Sequence, residues 1–434
     1  MATALSPLDR PKQLTETRCR IALVGFGTVG SAVARLLHAR RDDHSLRFTH
    51  VCNRDIARKK VNWISPDVRW TENFGEVLES NADIIVELMG GLEPAHELVR
   101  TALRRGKAVV TANKQLIAHF GPELLHLAHD NGQYLGFGAC VAGGVPILSG
   151  LHDGLAGDRI VQICGILNGT CNYILTRIEQ AGMSFEDALA EAQQAGFAEA
   201  DPTDDIDGQD AAAKLAILAR VGLKIGAFPR QVICRSIRNI AALDFEYAHD
   251  LSCTVRQIST ARLKNGRAYL AVEPSLVPEG SPLARVEGGR NLVVSTGQFG
   301  GETTFGGHGA GGDPTAVAVV SDVVQAARGL SRGIELPGRD AAVACEFTSA
   351  LEAPYYLRLV VRDQPGIIAA VGSVLAGCDI NLDAVLQKPG HSKSALPFVI
   401  TLEPCGPRQL DTALARIAGF DFLAEAPVIM PILS

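Results

Sequence analysis

Six carboxylates fall within twelve residues in the segment Glu199-Ala-Asp201-Pro-Thr-Asp204-Asp205-Ile-Asp207-Gly-Gln-Asp210, and three alanines separate the last of them from Lys214. Acid this dense invites a calcium reading. Placing Gly208 at the turn glycine of a calcium-binding loop puts Thr203 at the first ligand position and Lys214 where a bidentate glutamate belongs, so that reading fails. The spacing instead predicts a helix starting near Asp207, with Asp210 and Lys214 on one face at i, i+4 and the acid N-terminal to the base. On a helix otherwise rich in Ala, Leu and Ile, such a pair is either a solvated stripe or a site. The residues alone leave both readings standing.

A second lysine follows an apolar run, in Val109-Val-Thr-Ala-Asn113-Lys114. Open parallel sheets bind ligands beyond the carboxyl ends of their strands, so a cation here would stand beside a bound nicotinamide. The plainer alternative is a surface lysine opening a helix, although a cation is unfavourable at a helix N-terminus unless something negative is near. Further upstream, Gly25-Phe26-Gly27-Thr28-Val29-Gly30 separates a predicted strand from a predicted helix. Gly25 permits the tight turn, Gly27 admits a pyrophosphate to the backbone and Gly30 lets helix and strand pack closely, so the motif is expected to bind a dinucleotide. About twenty residues on, where an acid would hold the ribose hydroxyl of NAD, stand Asn53 and Arg54. Arg54 suits the 2′-phosphate of NADP, while Asp55 keeps NAD open within a small register error.

Other candidates carry less. His126 and His129 share a helix face but have no third ligand nearby, so a solvated face is expected rather than a metal site. Cys140, Cys164 and Cys171 have no sequence partner that would mark a nucleophile. Arg100, Arg104, Arg105 and Lys107 sit at a predicted helix end, where cations complement the dipole and need no partner.

The elements that must position these residues follow from apolar patterning. Strands are predicted over 20–25, 48–52, 82–88 and 107–111, with helical stretches at 31–37 and 94–105, an alternation that implies a doubly wound parallel sheet of Rossmann type. Helices are predicted at 171–180, 184–195 and 210–221, followed by polar strands between 248 and 294, which together read as an α+β domain. Seven glycines in fifteen residues at 300–314 predict a loop, and 315–328 one more helix. Residues 355–434 read as a ferredoxin-like βαββαβ module.

The chain has 434 residues, with 41 Lys and Arg against 47 Asp and Glu and a formal charge of −6. A mild acidic balance argues against a nucleic-acid partner. At about 150 residues per domain the length suggests roughly three domains. The expected division is a flexible tail at 1–17, a cofactor domain at 18–140 with a return segment at 300–350, a catalytic and dimerisation domain at 141–299, and a C-terminal module at 354–434. The N-terminus lacks the apolar run of a signal peptide, and the longest uncharged stretch, 131–152, is broken by six glycines and Pro146, so neither export nor a membrane span is expected. Ten cysteines scattered singly fit a reducing compartment, and a cytoplasmic location is expected.

Taken in order, GFGTVG, TANKQLIA, VAGGVPI, LNGTCNYILT, AGFAEADPTDDIDGQDAAAKLAILA and GAGGDPTA resemble the homoserine dehydrogenases, over about residues 21–328. The tail, with Tyr355-Tyr-Leu-Arg-Leu, Asp363-Gln-Pro-Gly366 and Asn381, resembles an ACT domain, an amino-acid-sensing module. The resemblance implies reversible NAD(P)-dependent reduction of L-aspartate 4-semialdehyde to L-homoserine, in threonine and methionine synthesis. It places proton transfer on Lys214, Lys114 between cofactor and substrate, Glu199 and Asp210 on the substrate's polar groups with Asp205 close by, and Gly309 against the nicotinamide side. It implies a sodium ion held by the backbone carbonyls of Gly138, Val141, Gly143 and Val145, although the family usually has Glu where this chain has Gly138. L-Threonine is the expected inhibitor, and a homodimer or homotetramer the expected assembly. The rivals are a phosphorylating semialdehyde dehydrogenase, which needs a nucleophilic cysteine, and a non-catalytic NADP and amino-acid sensor.

Overall fold

The computed structural model describes residues 19–40, 45–332, 342–349 and 351–433; the expected tail at 1–17 lies outside the described residues. Strand β1 (Cys19–Val24) is apolar on both faces, with Ile21, Ala22 and Leu23 fully buried, as befits a parallel strand covered by helices on both sides. It pairs with β2 (Leu46–Cys52), beyond which lies β3 (Arg69–Thr71). On its other side come β4 (Ile84–Glu87), β5 (Ala108–Thr111) and β6 (Leu135–Gly136). All six strands are parallel, in the order β3-β2-β1-β4-β5-β6. Strand order reverses between β1 and β4, which opens a crevice at their carboxyl ends. The edge strands β3 and β6 have three and two residues, too few to leave a periodic signal, and sequence patterning finds only the other four.

A seven-stranded mixed sheet follows. Its members are β7 (Ile160–Ile166), β8 (Ile233–Cys234), β9 (Cys253–Lys264), β10 (Arg267–Pro278), β11 (Arg290–Gly297), β12 (Gly301–His308) and β13 (Glu346–Phe347). The order is β12-β11-β7-β9-β10-β13, with β8 alongside β10. Two expectations need correcting. The first three residues of the stretch read as polar strands, 248–250, end a helix, Ala242–Asp250, and β9 and β10 are buried along most of their length. Two of their polar contacts are made inside: Arg256 Nη1 meets Glu179 Oε2 at 2.8 Å, and Tyr269 donates its hydroxyl to Glu273 Oε1 at 2.8 Å. The glycine-rich run read as a loop is mostly strand β12, because its backbone pairs with β11 whatever its side chains.

After β12 the helix Gly312–Arg332 returns to the first sheet, longer than the 315–328 expected. Ala316, Val319, Val323 and Ala326, at helical spacing, are fully buried in one core with Ile21, Leu23, Val33 and Ile84.

The C-terminal sheet contains β14 (Ala353–Val361), β15 (Leu382–Leu386), β16 (Leu396–Cys405) and β17 (Val428–Pro431), antiparallel in the order β15-β16-β14-β17. With helices Ile367–Ala376 and Pro407–Ile417 it forms the expected βαββαβ arrangement. Tyr356, Val399, Val428 and Met430 share a core with Ile174, Ile178, Ile240 and Phe245, which binds this sheet to the middle of the chain. At that junction Asp244 is fully buried between Arg358 Nε at 3.1 Å and the Tyr356 hydroxyl at 2.8 Å. Among the described residues no helix is long and apolar enough to cross a membrane.

Candidate active site

The glycine loop sits where the strand order reverses. Gly25 has φ +103°, and a Cβ there would come within 2.9 Å of the Met89 nitrogen, so only glycine fits. Above Gly27 nothing lies within 4 Å, and the helix Thr28–Ala39 starts there with no acid in its first turn. The cradle fits a pyrophosphate approaching backbone N–H groups. Asn53 accepts from the Phe26 N–H at 2.8 Å and thereby holds the loop, and the next side chain, Arg54, is exposed. Gly312 closes against the same loop, where an added Cβ would stand 3.0 Å from Thr28 Cγ2.

Lys114 opens the helix Lys114–Asp130, which Asn113 caps by accepting from the Leu116 N–H at 3.1 Å. A buried acid positions this turn. Glu87, at the end of β4, is fully buried, accepts from the Thr111 hydroxyl at 2.6 Å, and Thr111 in turn accepts from the Asn113 N–H at 2.9 Å. Burial pushes the Glu87 carboxyl up, against the pull of its donors. Sequence reasoning passed over Glu87 and Thr111; an acid ending an otherwise apolar strand is the signal that marks Glu87.

The carboxylate cluster divides. Asp201 and Asp204 are exposed, Asp201 tied to the Thr203 hydroxyl at 2.6 Å, and Asp207 is held by Ser236 at 2.7 Å and Arg238 at 3.2 Å. The short helix Thr203–Ile206 and the left-handed turn at Gly208, φ +85°, carry the chain into helix Gln209–Gly222 and turn Asp205 and Asp210 inward. Glu199 stays exposed on the preceding segment and pairs with neither lysine among the described residues.

Asp210 joins the two lysines. Its Oδ1 lies 2.7 Å from Lys114 Nζ and its Oδ2 2.7 Å from Lys214 Nζ, with side-chain exposures of 9% for Asp210, 39% for Lys114 and 13% for Lys214. This pair is not a solvated stripe. Lys214 also donates to the Leu167 carbonyl at 2.8 Å, and the Asn291 amide donates to that same oxygen at 3.0 Å. Burial alone would raise the Asp210 carboxyl, but the ammonium groups of Lys214 and Lys114 outweigh it and hold Asp210 below the usual carboxylate range. Lys114 is the mirror case: burial lowers it, Asp210 outweighs burial, and the net shift is upward. This supplies the negative group that a cation at a helix N-terminus requires.

Asn168 completes the cluster and was missed from the sequence, although an Asn just before a predicted helix is an N-cap signal. Its oxygen accepts from the Cys171 N–H at 2.9 Å, capping helix Gly169–Ala181, and its amide donates to Asp205 at 2.6 Å and to Asp210 at 2.8 Å. Burial, joined by the charge of Asp210, raises the Asp205 carboxyl despite this donor.

Gly309 lies beyond β12, packed against the Asn291 side chain, and its carbonyl faces Gly143. The segment with Gly138, Val141, Gly143 and Val145 forms a 3₁₀ turn at Gly138–Cys140 followed by left-handed Ala142 and Gly143. Gly138 donates its N–H to Asp322 of the return helix at 2.7 Å, and burial pushes that carboxyl up to about 6. A carboxylate thus stands beside Gly138 after all, supplied from another helix. Among the described residues no group of His, Cys, Asp and Glu could hold a metal, and His126 and His129 are exposed.

Cys140, Cys164 and Cys171 are buried, and burial raises all three thiols, so none is set up as a nucleophile. Three of the four basic residues at the helix end, which need no partner there, have one. Arg100 meets Glu123 at 2.9 Å, Arg105 meets Glu79, and buried Lys107 donates to the carbonyls of Ser80 at 2.7 Å and Ala82 at 2.8 Å.

Three family profiles match the chain: the NAD-binding domain of homoserine dehydrogenase at residues 25–137, homoserine dehydrogenase at 146–324, and the ACT domain at 355–421. A homoserine dehydrogenase of Synechocystis sp. is 36% identical over 431 residues, covering 96% of this chain and 99% of its own. A solved homoserine dehydrogenase from Thiobacillus denitrificans superposes with a TM-score of 0.89 at 33% identity, covering 96% of this chain and 98% of that one. A hyperthermophilic archaeal homoserine dehydrogenase in complex with NADPH superposes with a TM-score of 0.61 at 29% identity, over 71% of this chain and 97% of that one. The glycine cradle, the lysine pair bridged by Asp210 and these matches along nearly the whole length lead to one conclusion: the chain belongs to the homoserine dehydrogenase family, oxidoreductases that act on a CH–OH group with a nicotinamide cofactor, and it carries a C-terminal ACT domain.

Proposed function

We propose that the residues around Asp210 reversibly reduce L-aspartate 4-semialdehyde to L-homoserine, a step toward threonine and methionine, with NADP as the favoured cofactor. The observation that carries this reading is Asp210 held between Lys114, from the cofactor-binding sheet, and Lys214, from the central region, each at 2.7 Å. The bound nicotinamide supplies or accepts the hydride at the substrate carbon. Lys214 gives the alkoxide its proton in reduction and takes it back in oxidation, and its bonds to Asp210 and the Leu167 carbonyl aim it. Lys114 stands on the cofactor side and steadies the negative charge that develops on oxygen. Asp205, Asp210 and, from the exposed segment, Glu199 take the substrate's α-ammonium. NADP is favoured because Asn53 replaces the usual acid and is occupied with the Phe26 N–H, which leaves exposed Arg54 for the 2′-phosphate; Gly309 would face the nicotinamide.

In this reading residues 18–140 with 300–350 bind cofactor, 141–299 hold the substrate and pair subunits, and 354–434 sense L-threonine, in a cytoplasmic homodimer or homotetramer. A sodium ion would use the carbonyls of Gly138, Val141, Gly143 and Val145, with Asp322 adding the charge that Gly138 lacks. The test is steady-state oxidation of L-homoserine with NAD and NADP, each with and without L-threonine and with sodium replaced by choline. NADP-linked turnover inhibited by threonine is expected. Absence of turnover with either cofactor defeats the reading.

A further inference from the structure

Pro122 lies inside the helix Lys114–Asp130. Proline has no N–H, so the carbonyl of Ala118, four residues earlier, loses its α-helical donor. A carbonyl left without a donor in the interior is costly. Arg220 supplies one: its Nη2 donates to Ala118 O at 2.7 Å and its Nη1 to Ile117 O at 2.8 Å. Arg220 sits on helix Gln209–Gly222, which also bears Asp210 and Lys214, so these bonds tie it to the helix that Lys114 opens. The guanidinium has no carboxylate within ion-pair distance among the described residues, and its charge is met by these carbonyls, by Ala216 O at 3.3 Å and by the Phe228 ring 5.7 Å away. Gly121 makes the approach feasible, since a Cβ there would collide with Arg220 Nη1. Each liability answers the other: a cation without an acid meets a carbonyl without a helical donor.

We propose that Arg220, Gly121 and Pro122 form a latch that sets the spacing between the two lysine-bearing helices, so that Lys114 and Lys214 meet on Asp210 before substrate arrives. Arg220 is a positioning residue in this account. It lies six residues beyond Lys214, about 9 Å along the helix, and Ala118 lies four beyond Lys114, about 6 Å. At that range a small change at the latch moves the amines relative to each other, and a misplacement of about 1 Å can cost on the order of 100-fold in rate.

The proposal rests on the reading that both lysines serve one reaction, and the experiment separates the two. Full-length wild type, Gly121→Ala, Pro122→Ala, Arg220→Met and Arg220→Lys are compared in homoserine oxidation, in cofactor affinity, and in the rate at which a neutral amine-acylating reagent labels Lys114, read by peptide mass spectrometry. The ionisable groups facing Lys114 are Asp210, Asp205 and Cys140, with Lys214 sharing Asp210. Separation from Asp210 therefore frees the amine and speeds its labelling. Gly121→Ala and Arg220→Met are expected to lower kcat by at least ~10-fold and to speed labelling by several-fold, with cofactor affinity within about twofold. Pro122→Ala, which restores a competing N–H donor, gives a smaller change in the same direction, and Arg220→Lys recovers part of the loss. Should Arg220→Met fail to fold, the other variants decide. Unchanged kcat and labelling in Gly121→Ala and Pro122→Ala, whatever their melting temperatures, overturn the latch. Wild type that does not oxidise homoserine defeats the functional reading instead, and labelling still judges the latch.

Discussion

Replacing Asp210 with asparagine keeps the shape of the side chain and removes the charge that two ammonium groups share. The Lys214–Asp210 contact at 2.7 Å, with 13% and 9% side-chain exposure, is a buried pair, and losing one partner of such a pair costs about 3–5 kcal/mol. Lys114 is 39% exposed, so water screens its share, which adds no more than about 1 kcal/mol. The new amide oxygen still accepts one hydrogen bond, recovering about 1 kcal/mol. The expected loss is about 2–5 kcal/mol at neutral pH. Because the native Asp210 carboxyl is depressed, its contribution is present above the unfolded value of about 3.9 and disappears only as pH falls through the lower native value. Because Lys114 is raised, its contribution is present below about 10.4 and disappears only as pH rises through the higher native value. Between about pH 5 and 9 the deficit should therefore be flat. Native-state hydrogen exchange of amides in helix Gln209–Gly222 reads it locally, which suits a multidomain chain without two-state melting. Turnover should fall by about 100-fold or more, since the proton carrier loses its orientation. A deficit under about 1 kcal/mol, one that changes steadily across that pH range, or wild-type turnover would refute the reasoning.

Three further outcomes are expected. Asn168→Ser keeps a helix cap but removes the amide that spans Asp205 and Asp210, so circular dichroism should be unchanged while kcat falls by about 10-fold or more; Asn168→Ala should also lose about 1 kcal/mol of local stability, read by native-state hydrogen exchange in helix Gly169–Ala181. Arg54→Ala should raise the KM for NADP by about 10-fold and leave the KM for NAD within twofold, and equal effects on both cofactors would count against a 2′-phosphate contact. Truncation after Leu351 should retain turnover, lose any response to threonine and lower the melting temperature, because it strips Tyr356 and Arg358 from buried Asp244. A truncated enzyme that still responds fully to threonine would remove the ACT domain from regulation.

What primary sequence determined was local. Gly25, Gly27 and Gly30 announce a strand-turn-helix because the backbone geometry of a phosphate cradle admits almost nothing else, and the i, i+4 spacing of Asp210 and Lys214 puts them on one helix face in any fold. The unbroken apolar runs of β1 and β4 and the helical apolar period of Gly312–Arg332 were readable because each is also a local pattern. β3, β6 and β12 were not, since two or three residues carry no period and a glycine-rich strand has few side chains to show one; pairing with a neighbouring strand decides them. Whether the acid and lysine on that helix formed a stripe or a site depended on burial, and burial depends on what packs above. Only the folded chain brought Lys114, 96 residues before Asp210, onto the same carboxylate, set Asn168 between two acids, and closed a proline-freed carbonyl with Arg220. These are contacts between distant segments, and no local spacing encodes a distance across two sheets.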